Sequence, residues 1–234
     1  MRKVVIGIQA RSTSSRLPKK STMKISGRPL IDWVLKACKG SAKYINNFDG
    51  GNIFAKVCLL VPEGDPLQEI YGDSETVYTG PEHDVLSRYM VMVKNEAPDY
   101  VARITGDCPL IPHFLITKHI VNAVKYKYDY VSNVDEETRT YADGLDCEVI
   151  SSALFKWANA NAVSPSDREH VTTILRRQPP EWARSAYVVG YQDTSSLKLS
   201  VDTEEDLDFV RAYHEIMEKK INLAKSKPGG FFRI

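Results

Sequence analysis

Short, unbroken apolar runs alternate along the chain with longer stretches in which apolar residues return every three or four positions. "KVVIGI" (3–8) and "AKVCLLV" (55–61) have the composition of strands buried on both faces. "TVYTG" (76–80), "DYVARITGD" (99–107), "DYVSNV" (129–134), "SAYVVGY" (185–191) and "LKLSV" (197–201) add further strands. "GLDCEVIS" (144–151) alternates, with Leu145, Cys147 and Val149 on one face and Asp146 and Glu148 on the other. Helical spacing marks 29–39, 82–97, 112–127, 152–162, 166–178 and 203–221. Pro29 suits a first helical turn, and Thr203 is the expected N-cap of the last helix, with acidic residues behind it. Strands that alternate with helices predict an α/β fold: an open, mostly parallel sheet covered on both faces. In such sheets ligands sit beyond the carboxyl ends of the strands. The loops at 10–28, 62–66, 80–83, 106–111, 134–143 and 201–203 are therefore the places to look for chemistry.

The chain has 234 residues, 43% of them hydrophobic, enough for one sizeable core. A single domain over 1–221 is expected, with 222–234 as a tail and the Gly/Asn-rich 41–52 as a connection. With 31 Lys+Arg against 30 Asp+Glu there is no global field to recruit nucleic acid or an acidic membrane. The four cysteines, Cys38, Cys58, Cys108 and Cys147, form no C-x-x-C pair, so neither a zinc knuckle nor a disulfide framework is expected. The N-terminus does not read as a signal peptide, and no run reaches the roughly 20 apolar residues of a membrane span. A cytoplasmic location follows as the default expectation.

Against this balanced background the first loop stands out. Between Gln9 and Pro29 lie Arg11, Arg16, Lys19, Lys20, Lys24 and Arg28, with no Asp or Glu. A basic loop directly after a strand suits a polyphosphate, which guanidinium forks, a lysine and backbone amides can neutralise. The Walker A pattern and the dinucleotide pattern G-x-G-x-x-G are both absent. A solvated basic loop explains the composition equally well. Two carboxylates also fall at strand ends: Asp107 in "RITGDCPLI" and Asp202 in "LKLSVDTEEDL". Each has an adequate local role, Asp107 in a turn and Asp202 at a helix start. Together, in a fold whose strand ends share one crevice, they suit Mg²⁺, which takes a few carboxylates plus phosphate oxygens.

These segments carry a resemblance. "QARSTSSRLPKKSTMKISGRPLI" resembles the opening signature of the cytidylyltransferases related to CMP-KDO and CMP-acylneuraminate synthetases. "TGDCPLI" and "SVDTEEDL" resemble the family's two acidic motifs. "GPEHDVLSRY" (80–89), "RTYADGLDCEVIS" (139–151) and "DREHVT" (167–172) are similar to segments of the spore coat polysaccharide branch. The likeness runs in order over about residues 4–212. It implies a Rossmann-like, three-layer nucleotidyltransferase fold of the GT-A-like kind, CTP as donor, Mg²⁺ as cofactor, release of pyrophosphate and a homodimer. It implies a nucleotide site at Gln9, Ala10, Arg11, Arg16, Lys20, Thr79, Gly80, Asp84 and Asp107. Lys20 and Arg11 would act in catalysis with Asp107 and Asp202, the two metal carboxylates. The family often has Gly where this chain has Lys19, so Lys19 competes with Lys20 for the phosphate role.

The acceptor side is expected at Asp143, Asp146 and Glu148, with Arg168, Glu169 and His170. An ion pair of Arg168 with Glu169, one of Asp84 with Arg88 four residues on, and a structural role for His170 are the plainer explanations. Other readings are a nucleotidyltransferase using another NTP, a glycosyltransferase of the same fold, and a non-catalytic nucleotide- or nucleic-acid-binding module. "GDC" offers one carboxylate where glycosyltransferases usually show D-x-D. Residues 10–28 lack the aromatics that would stack nucleic-acid bases.

Overall fold

The computed structural model describes residues 1–48 and 50–225. In chain order its elements are β1 (Arg2–Gln9), a 3₁₀ turn (Lys20–Thr22), β2 (Lys24–Ile25), β3 (Arg28–Pro29), α1 (Leu30–Phe48), β4 (Ile53–Pro62), α2 (Pro66–Tyr71), β5 (Val77–Gly80), α3 (Val85–Glu96), β6 (Tyr100–Thr105), α4 (His113–Tyr126), β7 (Tyr130–Ser132), β8 (Glu148–Ser151), α5 (Ser152–Asn161), α6 (Pro165–His170), α7 (Thr173–Arg177), β9 (Ser185–Tyr187) and α8 (Glu204–Lys225). Seven strands form one sheet in the order β5-β4-β1-β6-β8-β7-β9, and β2 pairs with β3 as a small hairpin. β5, β4, β1 and β6 run parallel, while β8 is antiparallel to both of its neighbours. The mixed α/β fold with a mostly parallel sheet is the one expected.

The unbroken apolar runs are explained by burial on both faces. Val4, Ile6 and Ile8 of β1 join one core with Leu30, Val34 and Cys38 of α1 and Leu115 and Ile120 of α4. Val5 faces the other core, with Leu86, Tyr89 and Met92 of α3 and Leu154 and Phe155 of α5. No helix among the described residues is long and apolar enough to cross a membrane.

Several local expectations are corrected. α1 continues to Phe48, through most of the segment read as a connection. Its second half is held by packing: Ser41, Ala42 and Ile45 are buried, and the Ser41 hydroxyl bonds that of Thr117 on α4. Such contacts outweigh the weak helix propensity of Gly and Asn. The 166–178 stretch is two short helices, broken at Val171, whose φ of 61° is a strained value for a β-branched residue. Residues 144–147 and 197–201 lie outside the ladders; the latter run alongside the former as an extended segment, with one bridge between Asp143 and Lys198. α8 reaches Lys225, and the rest of the expected tail, like position 49 of the connection, lies outside the described residues.

Lys19 is also left-handed, with φ 61°. That conformation costs an L-residue roughly 1–2 kcal/mol and costs Gly almost nothing. Lys19→Gly is expected to stabilise the protein by about 0.5–1 kcal/mol after the extra chain entropy of Gly is subtracted. A rise in melting temperature with unchanged nucleotide binding is the result to look for, since the Lys19 side chain is exposed.

Candidate active site

Parallel pairing aligns the ends of β1, β4 and β6, with Gln9 opposite both Leu60 and Thr105. A cavity of about 300 Å³ opens over these ends. The turn after β6 presses onto β1: the Gly106 N–H donates to the Gln9 carbonyl, and a Cβ at Gly106 would lie 2.8 Å from that of Ala10 and 2.9 Å from the Gln9 oxygen. Gly106 thus lets the next residue, Asp107, stand at the mouth.

Asp202 arrives from far along the chain. The Val201 N–H donates to the Asp107 carbonyl at 2.9 Å, and Asp143 exchanges bonds with Leu197 and Leu199. Gly144, at φ 96°, allows this stitching: a Cβ there would sit 2.3 Å from the Ser200 nitrogen. The two carboxylates then meet at one lysine. Lys20, which is only 9% exposed, donates from Nζ to Asp107 Oδ2 at 3.1 Å, Asp202 Oδ1 at 3.0 Å and the Val201 carbonyl at 2.7 Å. Arg16 reaches Asp202 at 3.1 Å and Lys198 reaches it at 3.4 Å. Partial burial pushes the Asp202 carboxyl up, but Lys20, Arg16 and Lys198 outweigh it and hold it below the usual range. The helix-start role falls elsewhere. Thr203 Oγ1 accepts from the Asp206 N–H, and the Asp206 carboxylate accepts from the N–H groups of Asp202 and Thr203.

The loop between Gln9 and Lys20 is pinned by its own hydroxyls. Ser12 donates from backbone and side chain to Asp65, and Ser21 donates to the Arg11 carbonyl. Leu17 is buried beneath. Arg11 lies between Glu82 at 3.8 Å and Glu169 at 3.9 Å. Of the two competing lysines, Lys20 lines the cavity and Lys19 does not.

Gln9, Ala10, Arg11, Arg16, Lys20, Asp107, Glu169, His170 and Asp202 all line this cavity, although they come from four separate parts of the chain. His170 is exposed there, carried by the strained turn at Val171, so a core role is ruled out. Other expected residues lie outside the lining. Asp84 caps α3 through the Ser87 N–H and pairs with Arg168 at 2.6 Å; the expected pair with Arg88 does not form, and neither does that of Arg168 with Glu169. Arg168 also bonds Ser87 and Asn159, so it clamps α6 to α3 and α5. Thr79 and Gly80 end β5, and Gly80 packs on the stem of Arg88. Asp143 accepts from Ser200 and Asp146 from Arg139; burial raises the Asp146 carboxyl to about 6, with Arg139 opposing.

Glu148 is the clearest correction on the acceptor side. It is 1% exposed and its carboxylate accepts from Arg103, Arg176, Tyr130 and Thr172. Burial pushes its carboxyl up, but the two guanidiniums outweigh that and keep it ionised. Alternation suggested a face; only the fold shows that this face is covered by α7. Sequence reading also missed Arg88 and Arg103, both of which line the cavity. Arg88 is 2% exposed; among the described residues it donates to the carbonyls of Ala10, Leu60 and Glu82, and its buried Nε has no partner. Nothing in "SRY" or "ARI" distinguishes them from surface arginines.

Asp107 and Asp202 are a pair rather than a cage: among the described residues no three or more His, Cys, Asp or Glu cluster as metal ligands. Two hard carboxylates converging on one cation nevertheless fit Mg²⁺, which draws its other ligands from water and phosphate.

Residues 4–46 match the family described as cytidylyltransferase. The chain is 29% identical to an uncharacterized protein of Methanocaldococcus jannaschii, over 87% of this chain and 80% of that one. It is 23% identical to the spore coat polysaccharide biosynthesis protein SpsF of Bacillus subtilis, over 97% and 92%. It is 28% identical to a 3-deoxy-manno-octulosonate cytidylyltransferase of Saccharophagus degradans, over 78% and 65%. A solved cytidylyltransferase from Leptospira borgpetersenii superposes with a TM-score of 0.79 over 100% of both chains at 24% identity. CMP:2-keto-3-deoxy-manno-octonic acid synthetase, solved with CTP, gives 0.63 over 92% and 99% at 16% identity. In its opening segment the chain matches the cytidylyltransferase family, and its sequence and its fold are similar to those of cytidylyltransferases.

Proposed function

We propose that the protein transfers CMP from CTP to a polar acceptor such as a sugar or sugar acid, releasing pyrophosphate, in the synthesis of a surface polysaccharide or glycan. The observation that carries this is the meeting of Lys20 with Asp107 and Asp202 at the mouth of a cavity rimmed by Arg11 and Arg16. It supplies both halves of a nucleoside triphosphate site: cations for the phosphates and hard oxygens for a divalent ion.

Asp107 and Asp202 would hold Mg²⁺, which when bound neutralises phosphate charge and acts as a Lewis acid. The chain's own residues supply the positioning. Arg11, Arg16 and Lys20 bind the triphosphate and stabilise the charge that grows on the leaving pyrophosphate. The rigid strand ends hold the α-phosphorus in reach of the acceptor oxygen, and pyrophosphate departs on the far side.

Calorimetry with CTP, ATP, GTP and UTP in the presence of Mg²⁺ tests the donor. CTP is expected to bind most tightly; equal affinities would defeat the assignment. Lys20→Ala should weaken CTP about 10- to 150-fold, the equivalent of one charge-assisted contact, and CMP far less. A larger loss from Lys19→Ala would mean that the neighbouring lysine holds the phosphates instead.

A further inference from the structure

The proposed transfer leaves one proton unaccounted for. When an acceptor hydroxyl attacks the α-phosphorus, its proton passes to a base within reach of the cavity. The cavity wall offers four side chains of that kind. Asp107 and Asp202 both accept from Lys20, at 3.1 and 3.0 Å, and Asp202 is also paired with Arg16. Glu169 faces Arg11 at 3.9 Å. The fourth is His170, whose ring makes no hydrogen bond and no ion pair among the described residues. The Asp167 carboxylate on the same helix is already occupied by Ser164 and by Arg177 at 2.9 Å.

The backbone that carries this ring is strained and braced. The Thr172 N–H donates to the His170 carbonyl at 2.6 Å across Val171, which sits at φ 61° and ψ −55°. That is a γ-turn of the rare positive-φ hand, and a β-branched residue adopts it only at a cost. Val171 is 1% exposed and packs into the core shared by α3 and α5. Thr172 Oγ1 donates to the buried Glu148 at 3.0 Å. On the other side Arg168 ties α6 to Asp84, Ser87 and Asn159. Between these anchors the His170 ring is exposed and lines the cavity. Strain of this kind persists where the surroundings over-determine it, and it gathers at functional sites.

We propose that His170 is the general base of the transfer. The acceptor oxygen bonds to the α-phosphorus, the bond from that phosphorus to the oxygen bridging to the β-phosphate breaks, and its electron pair leaves with pyrophosphate. The hydroxyl proton goes to the unprotonated ring nitrogen of His170, and from there to solvent, which the exposed ring reaches. The imidazolium formed on the way stands beside phosphate charge that stabilises it. The inference rests on the nucleotidyl-transfer reading, and its test separates the two.

Full-length protein with CTP and Mg²⁺ is assayed for pyrophosphate release with 3-deoxy-manno-octulosonate, N-acetylneuraminate, glucose and glycerol as acceptors, and the best of them is carried forward. His170→Gln and His170→Ala should each lower kcat about a hundredfold or more. CTP affinity by calorimetry and the melting temperature should stay close to wild type. Imidazole added to the His170→Ala variant should restore turnover, whereas pyrazole, a ring of the same shape but a far weaker base, should not. A residue that only shaped the cavity would not tell the two rings apart. The proposal is overturned if kcat in the variants matches wild type, if CTP affinity falls in step with kcat, or if imidazole does no better than pyrazole. Should His170→Ala misfold, His170→Gln decides by kcat against CTP affinity. Should wild type bind no CTP, or release no pyrophosphate with any of these acceptors or with water, the nucleotidyl-transfer reading fails first and the base goes with it.

Discussion

Glu148→Ala is expected to lower the free energy of unfolding by about 3–5 kcal/mol, the usual cost of leaving buried charge without its partner. Globular domains have about 5–15 kcal/mol to lose, so the variant should be marginal. The cause is specific. Removing the carboxylate takes the counter-charge from the largely buried Arg103, leaves it beside the partly exposed Arg176, and strips an acceptor from the Tyr130 and Thr172 hydroxyls. For a chain of this size the melting temperature should fall by roughly 6–20 °C. Denaturant unfolding followed by circular dichroism measures it. A surface residue that touched only the acceptor would leave stability unchanged and lower activity alone. A shift below about 1 kcal/mol would therefore show that Glu148 does not anchor the cluster.

Asp107→Asn and Asp202→Asn should each reduce turnover at least about a hundredfold, because Asn keeps the shape but lacks the charge that a hard cation needs. Their effects on stability should differ in form. Either single substitution leaves Lys20 one carboxylate and the Val201 carbonyl, and both carboxylates are partly exposed, so the cost stays near 1 kcal/mol or less. The double variant leaves Lys20, 9% exposed, without a counter-charge, and should be destabilised by more than the sum of the singles. In turnover it should be little worse than either single, since both serve one site. Thermal melts and pyrophosphate release, with an acceptor the wild type uses, read the two effects separately. Full activity in either single variant would remove that residue from the site. Equal stability of the double and single variants would mean that the Lys20 junction contributes little to folding.

How far the sequence could be read depended on the range of the interactions. The buried runs at β1 and β4, the amphipathic α3 and α4, and the capped start of α8 were all legible, since each depends on residues a few positions apart. The basic loop and the two strand-end carboxylates were legible as isolated features and gained weight only as ordered motifs. Local reading failed where a distant partner decided. α1 runs past its Gly/Asn-rich half because α4 buries it. The Arg168 side chain bypasses its neighbour Glu169 for Asp84, 84 positions away.

By itself the sequence determined the α/β alternation, the concentration of cations behind β1 and the likeness to the cytidylyltransferases, because periodicity, composition and motif order are properties of the chain. The tertiary structure decided which charges meet. Lys20 reaches Asp107 and Asp202, 87 and 182 positions on, only after the parallel strand ends align and the Val201 N–H caps the Asp107 carbonyl. Glu148 and Arg103 look like ordinary polar positions of alternating strands, and packing by α7 makes one an internal counter-ion and the other a cavity arginine. Coulomb interactions depend on distance and on exclusion of water, and spacing along the chain specifies neither.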